Sequence, residues 1–211
     1  MILESEHGVI FVSFGSMLKG SLMSEKMRQI FTNAFGKLKQ RVLWKWESEE
    51  MEGKPDNVML SKWLPQQDLL AHPNLKLFIS HMGQSSSQEA LCHQVPVVRQ
   101  FFLDHLKKVR HRNWFKSYNN TSFLLISKVG IPIFGDQPGN SVEAERRGYG
   151  INIPFPELTE EKLSAAIDKI LSNSSYKSRA EEHGRLVMDE MTKPLERAVW
   201  WMEYAMRYPG K

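Results

Sequence analysis

The chain has 211 residues, 41% of them hydrophobic and 25% charged, with one cysteine (Cys92) and a formal net charge of +4. This suits a single globular domain with a sizeable core and excludes an internal disulfide framework. No apolar run approaches the ~18 residues that span a bilayer, and the opening MILESEHGVIFVSF lacks a basic region followed by an apolar stretch, so the chain is expected to be soluble, with neither a transmembrane helix nor a signal peptide.

The charge is local. Val98–Lys128 holds seven basic residues and one acidic residue, and the rest of the chain holds 21 basic and 23 acidic. The basic character thus belongs to one 31-residue segment, and nucleic acid is not an expected partner.

In chain order, residues 8–14 (GVIFVSF) form an apolar, β-branched run that predicts a buried strand ending in a Gly15-Ser16 turn. Ser24 is placed to cap a helix, because Met27, Ile30, Phe31, Ala34, Phe35 and Leu38 recur at helical spacing. Strands are predicted over Arg41–Trp46, Asn57–Leu60, Leu75–Ser80 and Gly130–Phe134, and a helix over Ser85–His93. Four further helices are expected over Ser141–Arg147, Glu160–Leu171, Ser175–Met191 and Pro194–Arg207. Strands alternating with helices predict an α/β, Rossmann-like parallel sheet with helices on both faces. Ligands of such sheets bind outside the carboxyl ends of the strands. Residues 14–16, 80–83 and 135–137 all fall there.

Those ends carry polar chemistry. The His81-Met82-Gly83-Gln84-Ser85-Ser86 turn leads into a helix, whose first amides, with hydroxyls and an imidazole, suit phosphate oxygens. Taken alone, serines there usually just cap the helix. Glu89 lies one turn further on, where a carboxylate can accept from ribose hydroxyls or simply face solvent. Asp136-Gln137 offers an acceptor and an amide for a polyol, although an Asp before a helix is commonly a cap. Trp63 can stack on a planar base with Gln66 at its edge; a half-buried core tryptophan is the commoner case. No metal site is expected.

The joint spacing is more specific. W-x-P-Q-x-x-L-L-x-H-P from Trp63, then F-I-S-H-x-G, then Glu89-Ala90, then G-x-P-x-x-x-D-Q ending at Gln137, resembles the donor box of the UDP-glycosyltransferases, in its animal, glucuronosyltransferase-like branch. The VSFGS of β-strand 8–14 and the tail KPLERAVWWMEY resemble the same branch, the tail matching the segment before its membrane anchor. The resemblance implies the C-terminal, donor-binding half of a two-domain GT-B hexosyltransferase that inverts the anomeric carbon. It would pass glucuronic acid or glucose from a UDP-sugar to a small lipophilic acceptor, with no other cofactor. Trp63 and Gln66 would hold uracil, Glu89 the ribose, and Ser16, His81 and the stretch Gly83, Ser85 and Ser86 the diphosphate. Asp136 and Gln137 would hold the sugar. No catalytic base is expected in this chain, because in the family it lies in the N-terminal domain, which is the expected partner; a homodimer is compatible with the resemblance. Full-length family members sit in the endoplasmic reticulum membrane. The alternative is a truncated or mis-spliced, non-catalytic product that binds UDP weakly or not at all. A dinucleotide-dependent dehydrogenase is disfavoured, because no G-x-G-x-x-G follows a strand.

Two departures from the family pattern bear on the site. Met82 stands where the family has glycine, and its side chain is expected to crowd the phosphates. Within the single domain 1–211, residues 98–128 read as an insertion. Trp63–Gln137 is 75 residues long, and removing those 31 leaves 44 that read VPVVGIPIFGDQ without a break. A retained intron, a functional or disordered loop, and a basic membrane-surface segment anchored by Phe101, Phe102 and Trp114 are the readings open for it.

Overall fold

The computed structural model describes residues 5–16, 19–92, 127–133, 135–189, 191–192 and 194–209. Six strands, β1 (Val9–Ser13), β2 (Arg41–Lys45), β3 (Val58–Ser61), β4 (Leu75–Ser80), β5 (Ser127–Gly130) and β6 (Gly150–Asn152), form one sheet in the order β3-β2-β1-β4-β5-β6. Every pairing is parallel. This is the doubly wound, Rossmann-like order, in which the chain reverses direction across the sheet between β1 and β4.

The sequence explains the layering. Alternate residues of β1 face opposite ways. Ile10 and Val12 join Phe31, Phe35, Trp44 and Ile167 in the larger core, while Val9 and Phe11 join Leu43, Leu70 and Phe78 in the smaller one. Phe11 and Phe78 stack with centroids 5.0 Å apart. A strand covered on both faces has no polar side, so β1 reads as a continuous apolar run.

The larger core is closed by α1 (Glu25–Gly36) and α5 (Glu160–Ser172), and the smaller by the short α2 (Gln66–Leu70) and by α3 (Gln84–Cys92). The Ser24 hydroxyl accepts from the Met27 amide at 3.3 Å, as its capping position predicts. The Thr159 hydroxyl caps α5 in the same way, accepting from Lys162. Between them lies α4 (Gln137–Arg146), and beyond α5 come α6 (Ser175–Met188) and α7 (Pro194–Arg207). Trp200, Trp201 and Tyr204 on α7 are exposed and pack on one another.

Most predicted elements stand within a residue or two of their expected bounds, with three differences. The fifth strand is Ser127–Gly130 rather than Gly130–Phe134. It ends at Gly130 because Pro132 has no amide to continue a ladder. This strand takes in Ser127 and Lys128, the last two residues of the expected insertion; residues 98–126, and Phe134 of the predicted strand, lie outside the described residues. Helix α4 begins four residues before Ser141, because Pro138 sits in its first turn, where a missing N–H is harmless. Helix α6 stops at Met188, short of Met191.

Lys128 is unusual for a central strand. It is 1% exposed. Its Nζ donates to the Ser87 carbonyl at 3.1 Å and lies 5.7 Å from the Tyr149 ring centroid.

Candidate functional site

The carboxyl ends of β1 and β4 meet at the switch point, and there the backbone closes around one imidazole. Gly15, at φ +81°, sits so near His81 that an added Cβ would lie 2.8 Å from the ring Cε1. At Gly83 a Cβ would lie 2.6 Å from Nε2. The two glycines therefore let the turns after β1 and β4 pack directly on His81. Burial holds this imidazole below its ordinary value of 6.5; the Asp136 carboxylate and the Ser13 backbone act the other way, and Lys45 adds to the lowering. It is thus neutral at pH 7, and its Nδ1 is buried with no hydrogen-bond partner among the described residues. Ser16 follows Gly15 and is exposed.

A second group assembles across α2 and α3. Gln66, the first residue of α2, donates through Nε2 to Glu89 Oε2 at 2.7 Å and to Ser86 Oγ at 3.1 Å. Ser86 and Glu89 are three apart on α3 and share a face. Glu89 is half-buried in this contact rather than a solvated helix glutamate. Ser85, directly before Ser86, is exposed.

Trp63, in the loop between β3 and α2, is not a core residue. It is 77% exposed, a large apolar face three residues before Gln66 in the chain. The Lys45 ammonium lies 5.8 Å from its ring centroid and donates to the Gly15 carbonyl at 2.6 Å. Lys45 thereby ties the base-edge group to the turn around His81. Its position at the end of β2 gave no local signal in the sequence.

The third group lies at the start of α4. Asp136 is exposed and does not cap its helix; its Oδ2 accepts instead from Asn140 Nδ2 at 2.8 Å. Gln137 is 4% exposed, and its Oε1 accepts from the Ile133 amide at 2.9 Å, so this side chain braces the loop between β5 and α4.

Met82 adopts φ +63°, the left-handed conformation that glycine would take without strain. Its side chain does not crowd the mouth of the site, as the sequence led one to expect. It is 1% exposed and packs with Ala144, Tyr149 and Ala180 in a small core cluster. The Met82 amide donates to Ser80 Oγ at 3.1 Å. The residue therefore combines a strained backbone with a well-packed side chain. Replacing it by glycine relieves about 1–2 kcal/mol of left-handed strain and forfeits a buried side chain whose loss costs about 2–5 kcal/mol. Met82→Gly is expected to lower the melting temperature by several degrees in a thermal melt, although glycine is the residue the turn itself prefers.

Every sequence-predicted site residue thus lies at the carboxyl end of the sheet, with the base-edge and ribose candidates linked directly through Gln66. Chemically the arrangement offers an exposed aromatic face, a carboxylate and amide beside it, and a neutral imidazole with backbone amides at a turn. A further carboxylate, Asp136, stands after β5, next to the turn that follows β4. These suit a planar base, a diol, an anion and a polyol respectively.

The model of the family "UDP-glucoronosyl and UDP-glucosyl transferase" matches residues 2–120 and 124–211. The chain is 37% identical over 209 residues to "UDP-glycosyltransferase UGT5" of Dactylopius coccus, covering 99% of this chain and 34% of that protein. It is 32% identical over 207 residues to "UDP-glucuronosyltransferase 2B1" of Rattus norvegicus, covering 98% and 33%. The chain therefore spans about a third of the length of the curated relatives it matches. Among solved structures, glycosyltransferase VinC in complex with DTDP superposes with a TM-score of 0.68 at 16% identity, over 97% of this chain and 43% of that one.

Proposed function

The chain belongs to the family of UDP-glucuronosyl and UDP-glucosyl transferases, and from that premise we propose that it is the donor-binding half of a two-domain GT-B enzyme that moves glucuronic acid or glucose from a UDP-sugar to a small lipophilic acceptor. The observation that carries this reading is the Gln66 amide bonded to both Ser86 and Glu89, with the exposed Trp63 on the same loop and His81 at the switch point. Trp63 stacks on uracil, and Gln66 reads its edge. Glu89 accepts from the ribose hydroxyls. The turn from His81 through Ser86, with Ser16 opposite, donates to the diphosphate. Asp136 accepts from the sugar, and Gln137 supports it from within the loop.

The proposed reaction inverts the anomeric carbon. An acceptor hydroxyl oxygen bonds to that carbon as the bond to the β-phosphate oxygen breaks; the electron pair leaves with UDP and the hydroxyl proton passes to a base. The chain's part is to hold the leaving diphosphate with fixed donors, which favours the charge that develops there. Neutral His81 serves as one of them, since an imidazole retains a donor without its proton charge. The base is proposed to lie in the part of the relatives' length that this chain does not span. The chain alone is therefore expected to bind donor without turning it over.

Titration calorimetry with UDP-glucose, UDP-glucuronic acid and ADP-glucose tests the reading. Binding of at least one UDP-sugar, with ADP-glucose at least tenfold weaker, is the expected result. Equal or absent binding of all three would point to the non-catalytic alternative.

A further inference from the structure

Asn140 holds two turns of the site at once. It lies in the first turn of α4, and its Nδ2 donates to Asp136 Oδ2 at 2.8 Å and to the Met82 carbonyl at 3.0 Å. The two acceptors come from the turns after two neighbouring strands, β4 and β5. Asp136 opens α4 after β5, and Met82 is the left-handed residue of the turn after β4. An amide nitrogen carries exactly the two hydrogens that these two acceptors require.

Both partners need such a restraint. Asp136 is exposed and makes no capping bond to its own helix, so a carboxylate there would otherwise sample several rotamers. Met82 keeps its positive φ against local preference, and the bond to its carbonyl fixes the peptide plane that carries the Gly83 amide. The Gly83 amide and the Asp136 carboxylate are thereby set relative to one another.

We propose that Asn140 is a positioning residue that orients the Asp136 carboxylate toward the donor's sugar while locking it to the phosphate-side turn. The proposal rests on the reading of Asp136 as the group that holds the sugar. Asn140 itself touches no substrate; it acts through Asp136. The consequence is selective. Losing Asn140 should weaken UDP-glucose more than UDP, because UDP has no sugar to reach Asp136.

The test measures affinity for UDP and for UDP-glucose by calorimetry on the full chain, for wild type, Asp136→Ala, Asn140→Ala and the double variant. Asn140→Ala is expected to reduce the preference for UDP-glucose over UDP by roughly tenfold, the worth of a hydrogen bond to a charged group. The double variant should be no worse than Asp136→Ala alone, which is the signature of one residue acting through another. Asn140→Asp, which sets a carboxylate against two acceptors, should lose at least as much. Asn140→Ser provides the same comparison if the alanine variant melts early. If Asp136→Ala leaves the UDP-glucose preference intact, the reading of Asp136 falls and this inference with it. If Asp136→Ala removes the preference but Asn140→Ala does not, or if the two losses simply add, the inference alone is overturned. A purely structural Asn140 would lower both affinities and the melting temperature together, leaving the preference unchanged, and that outcome also overturns it.

Discussion

Trp63→Ala is expected to reduce affinity for UDP and for uridine alike by about 10- to 100-fold, with little change in melting temperature. Stacking of a base on an aromatic side chain is worth about 1–3 kcal/mol, which sets the scale. The second half of the expectation follows from exposure. At 77% exposed, the indole buries little against its own fold, and exposed substitutions generally move stability by no more than about 0.5 kcal/mol. Its main-chain carbonyl accepts from Ser61 Oγ at 2.8 Å, a contact that survives loss of the side chain. A large exposed indole that contributes so little to folding calls for another role, and the adjoining Gln66 supplies the complementary half of a base site. Trp63→Phe should retain most of the affinity, since a phenyl ring still offers a stacking face. Calorimetry together with a thermal melt separates the outcomes. Wild-type affinity in Trp63→Ala would remove the uracil assignment, whereas a large drop in melting temperature would return Trp63 to a packing role.

The parallel sheet and the place of the site were legible because they rest on local pattern. β1 and β4 are apolar runs, and the turns after them carry Gly15, His81 and Gly83 in plain view. The spacing from Trp63 through Glu89 carried the donor-site reading. What escaped was either too short for a period to show or dependent on distant partners. Helix α2 is five residues long and β6 three, less than the window over which periodicity can be counted. The helix expected from Ser141 leaves out residues 138–139, Pro-Gly, which lie inside the first turn of α4. Lys45 reaches Gly15 across 30 positions, and Asn140 reaches Met82 across 58. Such contacts leave no trace in a single sequence. Met82 shows the reverse case: its departure from glycine was visible, but the direction of its side chain depends on Ala144 and Ala180, which only the fold brings near. The start of β5 was missed because Ser127 and Lys128 fall in the stretch read as an insertion. Lysine is almost never fully buried.

That buried lysine bears directly on residues 98–128. Deleting them places Val97 where Lys128 stands and Pro96 where Ser127 stands, ahead of the retained Val129 and Gly130. The substitutions suit those positions. Proline is tolerated at the first residue of a strand, and the amide of Val97 can take over the bond that the Lys128 amide makes to the Tyr149 carbonyl. A valine side chain then fills a site now holding an ammonium-bearing chain away from water, which favours the deletion by about 1–3 kcal/mol. Shortening the connection between Cys92 and the strand from some thirty residues to a few lowers the closure entropy by about 2 kcal/mol more. At roughly 2–4 °C per kcal/mol for a domain of this size, the deletion variant is expected to melt about 10 °C higher. UDP affinity should hold or improve, because β5 leads straight to the Asp136 turn. This outcome would favour the reading of residues 98–128 as a retained intron, and amplification of transcripts across codons 96–132 should then yield a short product. A lower melting temperature, or loss of UDP binding on deletion, would instead make the segment a working part of the domain. The basic character confined to those 31 residues would then need a partner of its own, and an anionic membrane surface would be the first to try.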